Sequence, residues 1–285
     1  LDEFPKSLTI ETGTPVSDVA LTGDPEYQYK ITTDRGAVRA RHVVHATNAF
    51  ANQFVPALKG KMTSVLCHMT SQRPGRNFPD LDGRRSWSIF YGDPGFDYIT
   101  QRPTRDGIQG DVLLGGGAMR SRDQGMDMFG VYDDSRVDPL TASHLFGSMP
   151  TIFEPHWGHP AESDTTPSTV WSGVIAVPSD LRPLVGRLDP TLTGRIPRHQ
   201  VVKKDHGQPE PGEWISAGYF GDGMVWAWLS GTALGLMISG SELDDLPAEP
   251  GRPSGQLYDW FPKDLLPTIQ RVRKMDLTDL MDDLN

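Results

Sequence analysis

"AGYFGDGMVWAWLSGTALG", Ala217 to Gly235, is the stretch that decides how the rest of the chain is read. Gly218, Gly221 and Gly223 surround Asp222 and let the backbone take positive φ or approach another group closely. The apolar run after them predicts a buried helix, and a helix that begins there offers unpaired N–H donors and the positive end of its dipole. Such a turn suits an anionic or electron-rich ligand. A tight strand-to-helix connection accounts for the same glycines, and the residues alone leave both readings open.

The surrounding chain is long enough, at 285 residues, to bury a core without staples. Its single cysteine, Cys67, forms no internal bridge, so the fold does not depend on an oxidising compartment, and a cytoplasmic home is the expectation. The net charge of −10 argues against nucleic acid or an anionic membrane as the main partner. No apolar run reaches the roughly 20 residues of a membrane helix. The best candidate, Met224 to Ile238, is shorter and is interrupted by Ser230, Gly231 and Thr232. The chain opens at Leu1 in strand-like sequence without signal or transit character, which reads as a fragment or a processed chain.

Residues 7 to 50 alternate as three or four strands, with a turn at Asp34-Arg35-Gly36. The last of them, "ARHVVHATNAF", carries Val43-Val44 and then small residues, as a strand buried on both faces would. Further strands are expected in "MTSVLCHMTSQ", "RSWSIFYG", "FDYITQRP" and "DVLLGGGAM", forming a separate antiparallel or mixed sheet. A helix follows in "DPLTASHLFGSMPTIF", with Asp138 as N-cap, Pro139 in the first turn and Pro150 ending or kinking it. The strand "STVWSGVIAV" then leads through "PSDLRPLVGRL" and a polar loop (189 to 212) to "GEWISAGYFGDGM". Sheet elements at both ends with an insert between them imply a chain that leaves one domain and returns to it.

No metal centre is expected. The eight histidines include one tight pair, His156 and His159, without a cysteine partner or an HExxH. No GxSxG supports a hydrolase, and Ser172 lies in a strand instead of at an elbow. Arg182, fixed beside Pro183, has the planar fork to hold a carboxylate, although a surface ion pair with a neighbouring aspartate accounts for it as well. Trp87, Phe90, Tyr91, Phe96 and Tyr98 either line an apolar pocket or form sheet core. Gly115-Gly116-Gly117 lacks the following lysine of a phosphate loop and reads as a bulge or a close backbone approach. A GxGxxG fingerprint is absent from these residues.

Four segments in order carry a resemblance: "VVHATNAFANQFVP", "FDYITQRP…DVLLGGG", "VWSGVIAVPSDLRPLVGRL" and "GEWISAGYFGDGMVWAWLSGTALGLMISG". They resemble FAD-dependent oxidoreductases of the D-amino-acid oxidase superfamily, the group with glycine and sarcosine oxidases, and fungal members in particular. The resemblance runs from about Leu8 to the C-terminal region. It implies a mixed α/β chain, the C-terminal part of a Rossmann-like FAD-binding domain with an inserted, mainly antiparallel or mixed β-sheet substrate domain. The expected division is residues 1–58 and 171–246 for FAD, 59–170 for substrate, and 247–285 as a tail. Members of the group begin with a strand, a GxGxxG turn and a helix. This chain lacks them, so a preceding segment or second chain is expected to complete the FAD domain.

Carried onto this sequence, the resemblance implies that Val16 contacts the adenine region. Ala46, Thr47 and Asn48 run beside the dinucleotide, and Gly218, Gly221, Asp222, Gly223 and Met224 lie along the isoalloxazine and ribityl side. It implies hydride transfer to FAD from a carbon bearing an amine, or less often a hydroxyl, with oxygen as acceptor and an amine or amino acid as substrate. The catalytic residues are not identified; His68, Arg102 and Arg182 are the candidates, the two arginines for a substrate carboxylate. The alternative is a non-catalytic small-molecule-binding remnant that has lost the flavin site.

Overall fold

A computed structural model describes residues 7–92, 95–158, 168–197 and 209–283, with side chains described through Leu280. Expectations placed on residues 1–6, on His159, His199 and His206, and on the side chains of Asp282 and Asp283 lie outside the described residues. Strands β1 (Val16–Leu21), β2 (Tyr29–Thr33), β3 (Gly36–Ala40) and β4 (His42–His45) precede the short helix α1 (Ala51–Phe54). Then come β5 (Met62–Gln72), β6 (Ser86–Phe90), β7 (Phe96–Gln101), β8 (Val112–Gly116), α2 (Pro139–Ile152) and β9 (Thr169–Pro178). The remainder holds β10 (Leu184–Arg187), α3 (Pro190–Thr193), β11 (Gly212–Ala217), α4 (Gly223–Ser239), α5 (Leu257–Trp260), α6 (Ile269–Lys274) and α7 (Leu277–Asp283).

The chain forms two units: one comprises the sequence up to Met62 and from Val177 onward, the other Thr63 to Ala176. In the first, β1, β2 and β3 form an antiparallel meander in which the Asp34-Arg35 turn joins β2 to β3. A second sheet has the order β10-β11-β4, with β10 antiparallel and β4 parallel to β11. Parallel neighbours need a long crossover, and here residues 46–211, more than half of the sequence, lie between them. Helix α4 packs its Ala233, Leu234 and Met237 onto Val185 and Trp214, with Leu257, Phe261 and Leu265 from the tail closing this core.

Three expectations in this unit change. The segment "SLTIE" at 7–11 is irregular, since it finds no pairing partner among the described residues. Among the described residues β4 lies at the edge of its sheet with Val44 44% exposed, not covered on both faces. Helix α4 is apolar all round, yet only its Ser230, Ala233, Leu234 and Met237 stripe is buried; Met224, Val225, Trp228 and Leu229 are exposed. A helix of that composition belongs in a core, so sequence alone predicts burial on every side, whereas the described residues cover only one.

The second unit is built on a five-stranded sheet of order β6-β7-β8-β5-β9, in which β6, β7, β8 and β5 pair antiparallel. Alternation along β7 turns Asp97, Ile99 and Gln101 inward and leaves Phe96 and Tyr98 exposed. The inward face packs under α2: Ile99, Val112 and Leu114 meet Leu145 and Met149, with Phe78 and Trp157 completing the cluster. Asp138 caps α2 as expected, its carboxylate accepting the Thr141 N–H at 2.7 Å. Pro150 does not end the helix; it sits exposed inside the last turn, and α2 continues to Ile152. The triple glycine is a close approach: a Cβ on Gly115 would stand 2.3 Å from the Tyr98 ring, and one on Gly116 2.4 Å from the Asp97 carboxylate.

Candidate functional site

The turn between β11 and α4 carries three residues with left-handed backbone. Gly218 and Gly221 take φ +84° and +82°, and between them Phe220 takes +47°. A bulky residue in the left-handed region is an outlier that persists only where its surroundings hold it. Two other non-glycine residues of this unit share the feature, Asn48 at +47° and Leu181 at +55°. All three lie in segments that the sequence singled out.

Gly218 is buried, and its N–H is the first beyond the β11 ladder. It donates to Asn48 Oδ1 at 3.0 Å, while a Cβ there would come within 2.7 Å of Pro178 Cγ. Tyr219 is tied back through its hydroxyl to Ser216 Oγ at 2.6 Å. The Asp222 carbonyl accepts from Val225 and Trp226 N–H, but its side chain makes no cap. The N–H groups of Gly223 and Met224 therefore have no acceptor among the described residues. Met224 is fully exposed, and open space surrounds Gly223. Uncapped donors at the start of a 17-residue helix, reached through a glycine turn, fit an electron-rich group held close to backbone.

At the opposite end of β11 from the turn, around Glu213, lies a buried ionic cluster that sequence reasoning missed. Glu213 accepts from Arg195 Nε at 2.7 Å and Nη2 at 2.6 Å, and pairs with His45 Nε2 at 2.8 Å. Arg195 Nη2 also donates to the Phe54 carbonyl at 2.6 Å. Burial works against the charged Glu213, but the Arg195 and His45 hydrogen bonds prevail and hold its carboxyl below the usual glutamate range. The only signals were a glutamate inside the apolar strand "GEWISA" and a histidine in "VVHATN". His45 and Glu213 lie 168 positions apart, so spacing gave no cue to their pairing. With the Trp214 Nε1 donation to His42 Nδ1, the cluster locks β4 to β11 and so fixes where each strand ends.

The predicted residues divide. Asn48 joins the turn directly, with Ala46 and Thr47 exposed just before it at the end of β4. Val16 begins β1 in the other sheet of this unit and pairs with Thr33. Arg182 is an exposed residue whose guanidinium lies 3.6 Å from Asp264, which is distant in sequence, while the neighbouring Asp180 pairs with Arg271 instead. In the second unit, His68 is buried and accepts the Asp138 N–H at Nε2, 2.9 Å away. Burial lowers its pKa, with Asp138 opposing, and its Nδ1 has no partner. That geometry gives it a structural task at the start of α2. Arg102 is exposed beyond β7, its N–H donating to the Asp111 carbonyl. The same unit holds an unanticipated cluster in which Asp97 accepts from Gly117 N–H and Tyr91 hydroxyl and pairs with His144 at 2.7 Å. Among the described residues no group of three or more histidine, cysteine, aspartate or glutamate side chains converges as a metal site. No helix among the described residues is long and apolar enough to cross a membrane.

These features are those of a mixed α/β chain whose first unit is interrupted in sequence by a sheet unit. The sequence profile described as FAD dependent oxidoreductase, DAO, matches residues 6–235, and the chain belongs to that family. Its cofactor is FAD. No curated protein matches the chain. Solved structures similar to it include glycine oxidase from Bacillus cereus ATCC 14579 (15% identity, TM-score 0.48), with 80% of this chain and 50% of that one covered. L-Proline dehydrogenase from P. horikoshii matches with 18% identity, TM-score 0.48 and the same coverage. Iminodiacetate oxidase from Chelativorans sp. BNC1 matches with 17% identity and TM-score 0.47, over 84% of this chain and 53% of that one. The chain thus spans about half the length of these structures.

Proposed function

We propose that this chain is the C-terminal portion of a fungal-type FAD-dependent oxidoreductase that oxidises an amine or amino acid, with oxygen as electron acceptor. The observation that carries the proposal is the β11–α4 turn. Its left-handed backbone at Gly218, Phe220 and Gly221 and its uncapped Gly223 and Met224 N–H groups occur inside the stretch that matches the family.

Bound FAD supplies the acceptor for the hydride lost from a carbon bearing nitrogen. The chain's part is to hold and orient it. In this reading the backbone of Gly218, Gly221, Gly223 and Met224, with Asp222 beside them, borders the flavin. The helix N-terminus favours negative charge gathered there. Ala46, Thr47 and Asn48 flank the dinucleotide, and Val16 serves the adenine end. In this reading the first unit serves FAD and the second serves substrate; Arg102 of the second unit and Arg182 of the first are separate candidates for a carboxylate ligand. The setting proposed is cytoplasmic, in keeping with a lone cysteine and no disulfide.

The reading needs a dinucleotide fingerprint from polypeptide outside this sequence, either a preceding segment or a second chain. Two observations support that requirement. Strand β4 has a sheet neighbour on one side only among the described residues. The exposed Met224, Val225, Trp228 and Leu229 form an apolar face on a helix otherwise seated in the core. FAD titration of the chain joined to its completing segment, followed by flavin absorption and by bleaching with an amine substrate, tests the proposal. Binding without bleaching by any amine or amino acid would favour a non-catalytic binding protein instead.

A further inference from the structure

We infer that Asn48, beside the dinucleotide, acts as a positioning residue whose side-chain oxygen sets the cofactor-facing turn through Gly218; the inference rests on the FAD reading of that turn. Gly218 N–H is a buried donor, and a buried backbone donor without a partner is costly. Its acceptor is the side chain of Asn48, 170 residues away in sequence, at 3.0 Å. Asn48 stands just past the end of β4, and Gly218 just past the end of β11, the parallel neighbour of β4. The carboxamide oxygen thus supplies one more rung where the backbone ladder has run out.

Asn48 reaches that rung by taking φ +47°, a conformation that asparagine tolerates better than most residues. Pro178 leaves no room for a Cβ on Gly218. The start of the turn is therefore held by a hydrogen bond and confined by a proline ring. Phe220, in the left-handed region, and the open N-terminus of α4 come directly after Gly218 in the chain and inherit their positions from that grip. Without the rung, Gly218 is free to rotate, and the Gly223 and Met224 N–H groups lose their fixed direction while the core of the unit stays intact.

Two substitutions separate this from a purely structural role. Asn48→Gly permits the same φ and removes the acceptor, whereas Asn48→Asp keeps an acceptor oxygen in a residue that tolerates the same backbone. Hydrogen exchange of the Gly218 amide, measured on the 285-residue chain without flavin, should accelerate at least tenfold in Asn48→Gly and stay within about threefold of wild type in Asn48→Asp. With the FAD domain completed, the FAD dissociation constant should rise about fivefold in Asn48→Gly, the worth of one neutral hydrogen bond, and recover in Asn48→Asp. Unchanged Gly218 exchange in Asn48→Gly overturns the inference. So does accelerated exchange with unaltered FAD affinity, or exchange that accelerates equally throughout β11. If the wild-type protein binds no FAD, the functional reading fails, and the exchange experiment still decides whether Asn48 holds the turn.

Discussion

Replacing Glu213 by glutamine should destabilise the first unit by about 3–5 kcal/mol at neutral pH. The side chain is 2% exposed and receives two bonds from Arg195, itself 15% exposed, and one contact from His45, 3% exposed. Glutamine fills the same volume but carries no charge. Arg195 would then remain in a buried site as a cation without its counterion, and breaking such a pair from one side is the costly case. Against a typical total of about 5–15 kcal/mol, the loss is large enough to read in urea unfolding followed by tryptophan emission, with Trp214 adjacent in β11.

The pH dependence is a second arm of the same experiment. The Glu213 carboxyl is held below its ordinary value of about 4.3, so its contribution is complete above that pH and is lost as pH falls through the lower native value. The stability gap between wild type and Glu213→Gln should therefore be full at pH 7 and shrink on acidification below about pH 4. A gap under about 1 kcal/mol at pH 7, or one that is unchanged at the acid end, would refute the reasoning that a charged cluster locks β4 to β11.

Gly218→Ala combines the left-handed strain of φ +84° with a Cβ 2.7 Å from Pro178 Cγ and should cost about 2–4 kcal/mol in urea unfolding; a loss below about 1 kcal/mol would mean that the turn relaxes easily. Cys67, whose thiol burial pushes up to about 11, should react with an aromatic disulfide at pH 8 about a hundredfold more slowly than a free thiol. The rate should climb toward pH 11, and rapid stoichiometric labelling at pH 7 would contradict the burial.

Local chemistry made the second unit legible. Asp138 and Pro139 mark the start of α2 because capping is decided within four residues, and the alternation in "FDYITQ" marks which side of β7 faces α2. The glycines at Gly218 and Gly221 were readable for the same reason, since their left-handed backbone is a local demand. Pairing over distance was hidden. Asn48 with Gly218, and Glu213 with His45, each join segments whose proximity depends on β4 lying beside β11. The exposure of α4 was hidden for a different reason. Its composition records a burial that the described residues only half supply, so the apolar run pointed to a core helix while Met224 and Trp228 stand in the open. Pro150 misled because its ring is accommodated on the exposed side of a last turn.

If the β11–α4 turn serves FAD, the cofactor content of the chain joined to its completing segment shows it most directly. Flavin absorption near one FAD per chain is expected, released on denaturation and weakened by Gly218→Ala. Protein that is folded and complete but colourless, and whose melting temperature does not move when FAD is added, would contradict that role for the turn.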